Sequence, residues 1–174
     1  QYVVKCAVQD WALNNAVVAY STFTFDTTKP TSRATYPSNT SFVGNITLCS
    51  GTANDANARA SGIKRVDVSI KQMTNSKWWN GSNFTTATTQ YWNVATDTAS
   101  WTYTWGTGKL TTNTTYQIVS KAVDNAGNWS VSWTTNTFYC DTDKPSALIT
   151  YYGEDLSGGK TNVTQITGTA SDTG

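Results

Sequence analysis

Apolar and polar positions alternate with period two along short stretches of this chain, and Asn, Gly, Asp and Pro separate the stretches. The middle of the chain shows this best. A strand is predicted over Thr31–Tyr36, ended by Pro37-Ser38-Asn39, and another over about Ser41–Ala53 with Cys49, Gly51 and Ala53 on one face. Asn54–Gly62 reads as a loop. Ile63–Met73 alternates again, turning Ile63, Val66 or Asp67, Val68 and Ile70 one way and Lys64, Arg65 and Lys71 the other. In Trp78-Trp79-Asn80-Gly81-Ser82 the Asn-Gly pair predicts a tight hairpin, because both central residues of a type I′ turn need positive φ. Strands follow at about Gln90–Val94, at Ser100–Trp105 with Trp101, Tyr103 and Trp105 on one face, and at Tyr116–Asp124 with Tyr116, Ile118, Ser120 and Ala122 inward. After the loop Asp124-Asn125-Ala126-Gly127-Asn128, a last strand is expected at Val131–Cys140. The regular spacing of short strands points to an all-β sandwich.

The chain also repeats itself. Tyr2, Asp10, Ala12 and Asn14 recur without a gap as Tyr116, Asp124, Ala126 and Asn128. The stretch beginning Thr22, TFTFDTTKP, recurs as TFYCDTDKP from Thr137, and Gly51-Thr52-Ala53 recurs as Gly168-Thr169-Ala170. Three blocks in one order imply a unit of roughly 115 residues. On this reading 1–28 are the last two strands of a preceding unit, 29–143 a complete unit, and 144–174 the first two strands of a following one. The boundaries fall at Asp26–Pro30 and Asp141–Pro145, polar linkers closed by proline. The chain is accordingly expected to be a segment of a longer array. One departure stands out: Leu13 occupies the place of Gly127, and the loop around it is expected to differ.

Composition narrows the function classes. Aromatic residues reach 13% of the 174, suiting a pleated surface. The 12 Lys plus Arg balance 11 Asp plus Glu, which leaves no basic stripe for nucleic acid. No apolar run has the length to span a bilayer as a helix. There is no His, hence no Ser-His or Cys-His pair, and no phosphate cradle in a strand-to-helix context. The expectation is that the chain is not an enzyme. Cys6, Cys49 and Cys140 show no metal or redox spacing. Cys6 and Cys49 take inward registers in different units, so buried free thiols are expected.

Gly51-Thr52-Ala53-x-Asp55, then Ser61-Gly62-Ile63-x-x-Val66-x-Val68-Ser69-Ile70, then Tyr116-x-Ile118 and Asp124-Asn125-Ala126-Gly127-Asn128, closed by D-T-x-K-P, resemble the bacterial immunoglobulin-like tandem repeats of large extracellular surface and adhesin proteins. The resemblance implies immunoglobulin-like β-sandwich repeats, one complete and two partial. It also implies an extracellular, cell-surface location and a structural or adhesive role as stalk or filament-building modules. The partners would be neighbouring repeats, other copies in a filament, or surface glycans, with no nucleic acid and no membrane insertion in this segment.

Individual residues carry narrower expectations. Leu110 followed by Tyr116 suggests a tyrosine corner, the ring buried and the hydroxyl bonded to backbone a few residues upstream. Trp78, Trp79 and Trp92, beside Tyr91, flank a hairpin and offer flat faces for stacking on sugars. That supports the alternative function, a carbohydrate-binding accessory module of a secreted enzyme, against a purely structural use of Trp79, Trp92 and Trp101 in the core. No cofactor is expected. Calcium at the inter-domain linkers is the alternative, drawing on Asp26, Asp55, Asp124 and Asp143, opposed by Lys29 and Lys144. Asp124 and Asn128 more simply brace their own loop. Sequons begin at Asn39, Asn45, Asn80, Asn83, Asn113, Asn128 and Asn162, of which Asn80 and Asn83 lie in the most accessible turn.

Overall fold

The computed structural model describes residues 1–57, 59–86, 88–131, 134–154 and 163–172. The sequon at Asn162 and residues 132–133 of the strand expected at Val131–Cys140 lie outside them. No helix occurs among the described residues. The strands are β1 (Tyr2–Cys6), β2 (Ala19–Phe23), β3 (Thr31–Tyr36), β4 (Ser41–Val43), β5 (Leu48–Asn54), β6 (Ile63–Gln72) and β7 (Lys77–Trp79), followed by β8 (Phe84–Thr86), β9 (Asn93–Val94), β10 (Ser100–Thr104), β11 (Thr114–Asp124), β12 (Thr135–Cys140), β13 (Ser146–Glu154) and β14 (Val163–Ser171).

These strands form four sheets, none closed into a barrel. Among the described residues, β1 pairs only with β2, and β13 only with β14. A three-stranded sheet runs β10-β5-β3. A seven-stranded sheet runs β4-β12-β11-β6-β7-β8, with β9 also on β6. It is mixed: β4 lies parallel to β12, Phe138 opposite Ser41, while its other pairs are antiparallel.

This overturns the expected immunoglobulin-like β-sandwich, repeated along the chain. One cause is local. The strand expected over Ser41–Ala53 breaks in two, because Ile46 N–H turns back to Gly44 O at 3.0 Å and Thr47 O is taken by Trp105 N–H at 2.9 Å. β4 is thereby released to the edge of the larger sheet, where Asp141 N–H bonds Val43 O at 2.9 Å. The other cause is that the flanking hairpins add no strand to either central sheet. Their described side chains are largely exposed: Tyr2, Val3, Val4, Tyr20 and Phe23 in the first, Leu148, Ile149 and Ile166 in the second. Cys6 is exposed for the same reason, against the expectation of a buried thiol, whereas Cys49 and Cys140 are buried.

The three- and seven-stranded sheets share a core. Ala34, Cys49, Ala53 and Trp101 come from the smaller sheet, and Val66, Val68, Ile70, Tyr116, Ile118, Ala122 and Phe138 from the larger. The inward residues of β6 are Val66, Val68 and Ile70. A register shift at Val123/Asp124 sets Asp124 opposite Ile63, so Ile63 and Val66 pack on the same side although three apart. An aromatic file runs through the core, with ring centroids 5.3 Å from Trp79 to Phe84, 5.4 Å on to Tyr116, and 5.5 Å on to Phe138. The Tyr116 hydroxyl accepts from Thr111 N–H at 2.8 Å, beside Leu110, and burial raises its pKa. Buried polar groups cross-link the sheets: Ser32 and Ser120 hydroxyls meet at 2.8 Å, and Asn136 donates to Ala34 O and Pro37 O at 3.2 and 2.9 Å.

Trp101 is fully buried and lies opposite Gly51 in the β10–β5 register. A Cβ on Gly51 would collide with the Trp101 indole and with Arg33 O. The missing side chain is thus the space the indole fills, and overpacking there has no flexible neighbour to displace. Gly51→Ala is expected to lower the unfolding free energy by about 1–3 kcal/mol, and Trp101→Ala by about 3–5 kcal/mol. Gly44 has no neighbour closer to an added Cβ than 3.8 Å. Gly44→Ala should therefore stay within about 0.5 kcal/mol. Urea titrations followed by near-ultraviolet dichroism measure all three, and equal losses at the two glycines would refute this account of Gly51.

Candidate functional site

Two places gather side chains with chemical potential. The first is one end of the central sheets, where Asp26 from the segment before β3, Asp55 after β5 and Asp124 closing β11 each bring a carboxylate oxygen within 4.8 Å of the others. Local hydrogen bonding explains how they are aimed. Asp124 is fully buried and accepts from Asn128 N–H at 2.7 Å and from the Asn128 amide at 2.8 Å. Asp55 accepts from Gly62 N–H at 2.9 Å through one oxygen, while its Oδ1 is buried without a partner. Asp26 accepts from Ser61 N–H at 2.7 Å and Thr28 N–H at 2.9 Å. These backbone donors, Ser61 first, hold its pKa below the ordinary aspartate value. Asp143 is elsewhere, accepting from Asn113. Among the described residues the only ion pair is Arg65 with Asp67, so no cation neutralises the triad. An all-oxygen donor set of three carboxyl groups suits a hard divalent cation such as Ca²⁺, which takes six to eight oxygens.

The clasp on Asp124 has a counterpart in the first hairpin. Asp10 accepts from Asn14 N–H at 2.8 Å and from its amide at 2.9 Å. Leu13 adopts φ 66° where Gly127 has φ 93°, so the loop keeps the same fastening instead of differing as expected. Leu13 carries the steric cost of a left-handed conformation.

The second place is the outer face of the seven-stranded sheet. Alternation turns Arg65, Asp67, Ser69 and Lys71 of β6 outward, beside Gln117, Val119, Lys121 and Val123 of β11. Trp92 immediately precedes β9, and the register that pairs Asn93 with Val68 sets it beside Ser69. Its ring nevertheless lies 4.1 Å from Lys121 Nζ on β11, so the two side chains meet over β6. Ser69 and Val119, facing outward, are buried, and the Ser69 hydroxyl has no partner. Trp129 lies 4.6 Å from the same ammonium and 5.5 Å from the Arg65 guanidinium. Further along, Trp78 lies 5.1 Å from Lys71 Nζ. Trp129 is 39% exposed, and Trp78 and Trp92 are half-buried.

Trp79 does not join this face. It is buried, donates its indole N–H to the Tyr103 hydroxyl at 2.8 Å, and walls a cleft of about 470 Å³ with Phe84, Lys77 and Lys109. Asn80 and Asn83 are exposed in the hairpin loop, which spans four residues, closed by Asn80 N–H to Asn83 O at 3.1 Å. The Asn80 side-chain Oδ1 accepts from Ser82 N–H and Asn83 N–H.

No protein-family model and no curated protein matches this chain. The resemblance to bacterial immunoglobulin-like repeats therefore stops at short motifs, and the mixed, four-sheet structure departs from that family's sandwich. The structural, adhesive stalk or filament role that the resemblance implied falls with it. A carboxylate triad with an unpartnered oxygen and a cation-bracketed aromatic face do not match a simple spacer. No described helix is long and apolar enough to cross a membrane.

Arg65, Lys71, Lys121 and Trp129 are not among the binding residues expected from sequence. Lys71 and Lys121 were detectable as outward cations on two alternating segments. Trp129, just after a loop, carried no periodic signal.

The Asp26 linkage gives a sign for pH. A carboxylate whose folded pKa is lowered keeps its contacts above the ordinary aspartate value and loses them as pH falls through its own, lower value. In an NMR titration the Ser61 amide resonance should move with a midpoint below about 3.9, the unperturbed aspartate pKa. A midpoint at or above that value would contradict the Asp26 contact.

Proposed function

We propose that the central sheets form a carbohydrate-binding accessory module, of the kind that accompanies a secreted glycoside-active enzyme. The observation that carries this reading is the outer face of the large sheet, where Trp78, Trp92 and Trp129 lie partly exposed. Pyranose rings present apolar C–H faces, and an indole gives such a face a broad flat partner while its N–H remains able to donate. Trp78 stands on β7, Trp92 immediately precedes β9 and Trp129 bridges to Val123; bracketed by Lys71, Lys121 and Arg65, the rings have little conformational freedom left to lose on binding. This differs from a platform of Trp78, Trp79 and Trp92, since Trp79 belongs to the core and Trp129 takes its place.

Affinity electrophoresis and tryptophan fluorescence against a panel of neutral and acidic polysaccharides test it. At least one should retard the protein, and Trp129→Ala or Trp78→Ala should weaken that binding about tenfold, equal to about 1.4 kcal/mol, with an unchanged melting curve. A protein that no polysaccharide retards is not a carbohydrate-binding module.

A second reading rests on the unpartnered Asp55 Oδ1. We infer that Asp26, Asp55 and Asp124 take Ca²⁺, which would tie the segment before β3 to the ends of β5 and β11. Calcium at one hundred times its dissociation constant should stabilise the protein by about 2.7 kcal/mol, seen as a raised melting temperature that EDTA reverses. Asp55→Asn should abolish the shift. A melting temperature indifferent to calcium and EDTA would rule the ion out.

A further inference from the structure

We propose that the aromatic face selects anionic polysaccharides, chains of pyranose rings bearing carboxylate or sulfate groups, over neutral ones. The inference rests on the glycan reading above and adds the charge of the ligand.

Charge on the face is one-sided. Its one acid, Asp67, is almost fully buried and is held by Arg65 through both oxygens, at 2.7 and 3.1 Å. Lys71 and Lys121 have no carboxylate within ion-pair distance among the described residues. What holds them is aromatic. Lys121 Nζ has Trp92 at 4.1 Å and Trp129 at 4.6 Å, and Lys71 Nζ has Trp78 at 5.1 Å. A carboxylate partner would cancel the charge, whereas a neutral ring only positions it through its quadrupole. Each ammonium is thus oriented in advance and keeps its positive charge.

Spacing favours a polymer. Lys71 lies opposite Gln117, four residues along β11 from Lys121, and four residues of strand span about 13 Å. One monosaccharide does not bridge that distance, and a chain does. The partly exposed Trp129 and Trp78 mark the two ends of the stretch, next to Lys121 and Lys71 respectively. Ring faces would stack on the indoles while acidic groups meet the ammonium ions. Neutral sugars would gain the stacking and nothing from the lysines.

The test compares polygalacturonate and alginate as carboxylated ligands, heparin as a sulfated one, and dextran and xyloglucan as neutral ones, by affinity electrophoresis and calorimetry on the intact chain. Lys71→Met and Lys121→Met keep an apolar stem of similar length over the rings. At least one acidic polymer should bind at least tenfold more tightly than either neutral one. That affinity should fall several-fold between roughly 50 and 200 mM salt, the direction set by counterion release. The double Lys→Met variant should lose about tenfold for the acidic polymer, one decade per 1.4 kcal/mol. Preference for carboxylate or for sulfate identifies which acid the ligand carries, and either supports the inference. Neutral polymers bound as tightly, with Lys→Met silent, would overturn it while leaving the glycan reading intact. Single-stranded DNA bound as tightly as the polysaccharide would also overturn it, showing an unselective cationic patch. No binding to any polymer would overturn both readings.

Discussion

The contact on which the rest of the central structure depends is the Trp101 indole lying across Gly51. β10 and β5 exchange backbone hydrogen bonds on either side of it, and β3 closes over the same glycine from the other edge, Ala34 opposite Gly51. The ring fills the space a side chain would occupy and extends into the core shared with the larger sheet. A three-stranded sheet without that bulk would present little apolar volume, since its other buried core residues are Ala34, Cys49 and Ala53. Dispersion and hydrophobic burial at one large residue therefore decide whether the small sheet docks at all. The docked sheet in turn supports β6 and β11, whose opposite faces carry the cationic and aromatic side chains.

The sequence revealed the elements better than their assembly. Period-two alternation located β3, β6, β10 and β11 to within a few residues, because each buries one face and the pleat forces its neighbours outward. It failed at Ser41–Ala53, where one continuous apolar pattern hides a change of sheet. Nothing in the alternation of Phe42, Val43, Ile46 and Leu48 signals that the first two pair with β12 while Leu48 pairs with β10. The change of partner between Val43 and Leu48 gives the parallel β4–β12 pair and with it the departure from the expected sandwich. Likewise the repeated blocks identify the flanking hairpins as strand pairs, yet a repeated sequence does not supply the partners that would bury Tyr2, Val4 or Leu148.

The candidate sites divide along the same line. Asp26, Asp55 and Asp124 were legible because each sits in a motif with a turn function of its own. That Asp143 stands apart depends on tertiary placement. The aromatic face was half legible: Trp78 and Trp92 stood out by composition. Trp79, one residue from Trp78, was bound by the pleat to point the opposite way, and it enters the core. Trp129 reaches the face through the turn after Asp124, and a turn's exit direction is not encoded in periodicity.

The Asp–Asn clasp, finally, bears on how the molecule reaches its fold. It closes the same way at Asp124–Asn128, in a packed sheet, and at Asp10–Asn14, in a hairpin exposed on both faces. It therefore does not require a surrounding core, and it joins residues only four apart. Contacts that local form on the microsecond scale of hairpin closure, ahead of pairings that must close long loops. β11 is the longest strand and the one flanked by both β6 and β12. A clasp at its end fixes where β11 stops and so limits the registers in which those partners can join it.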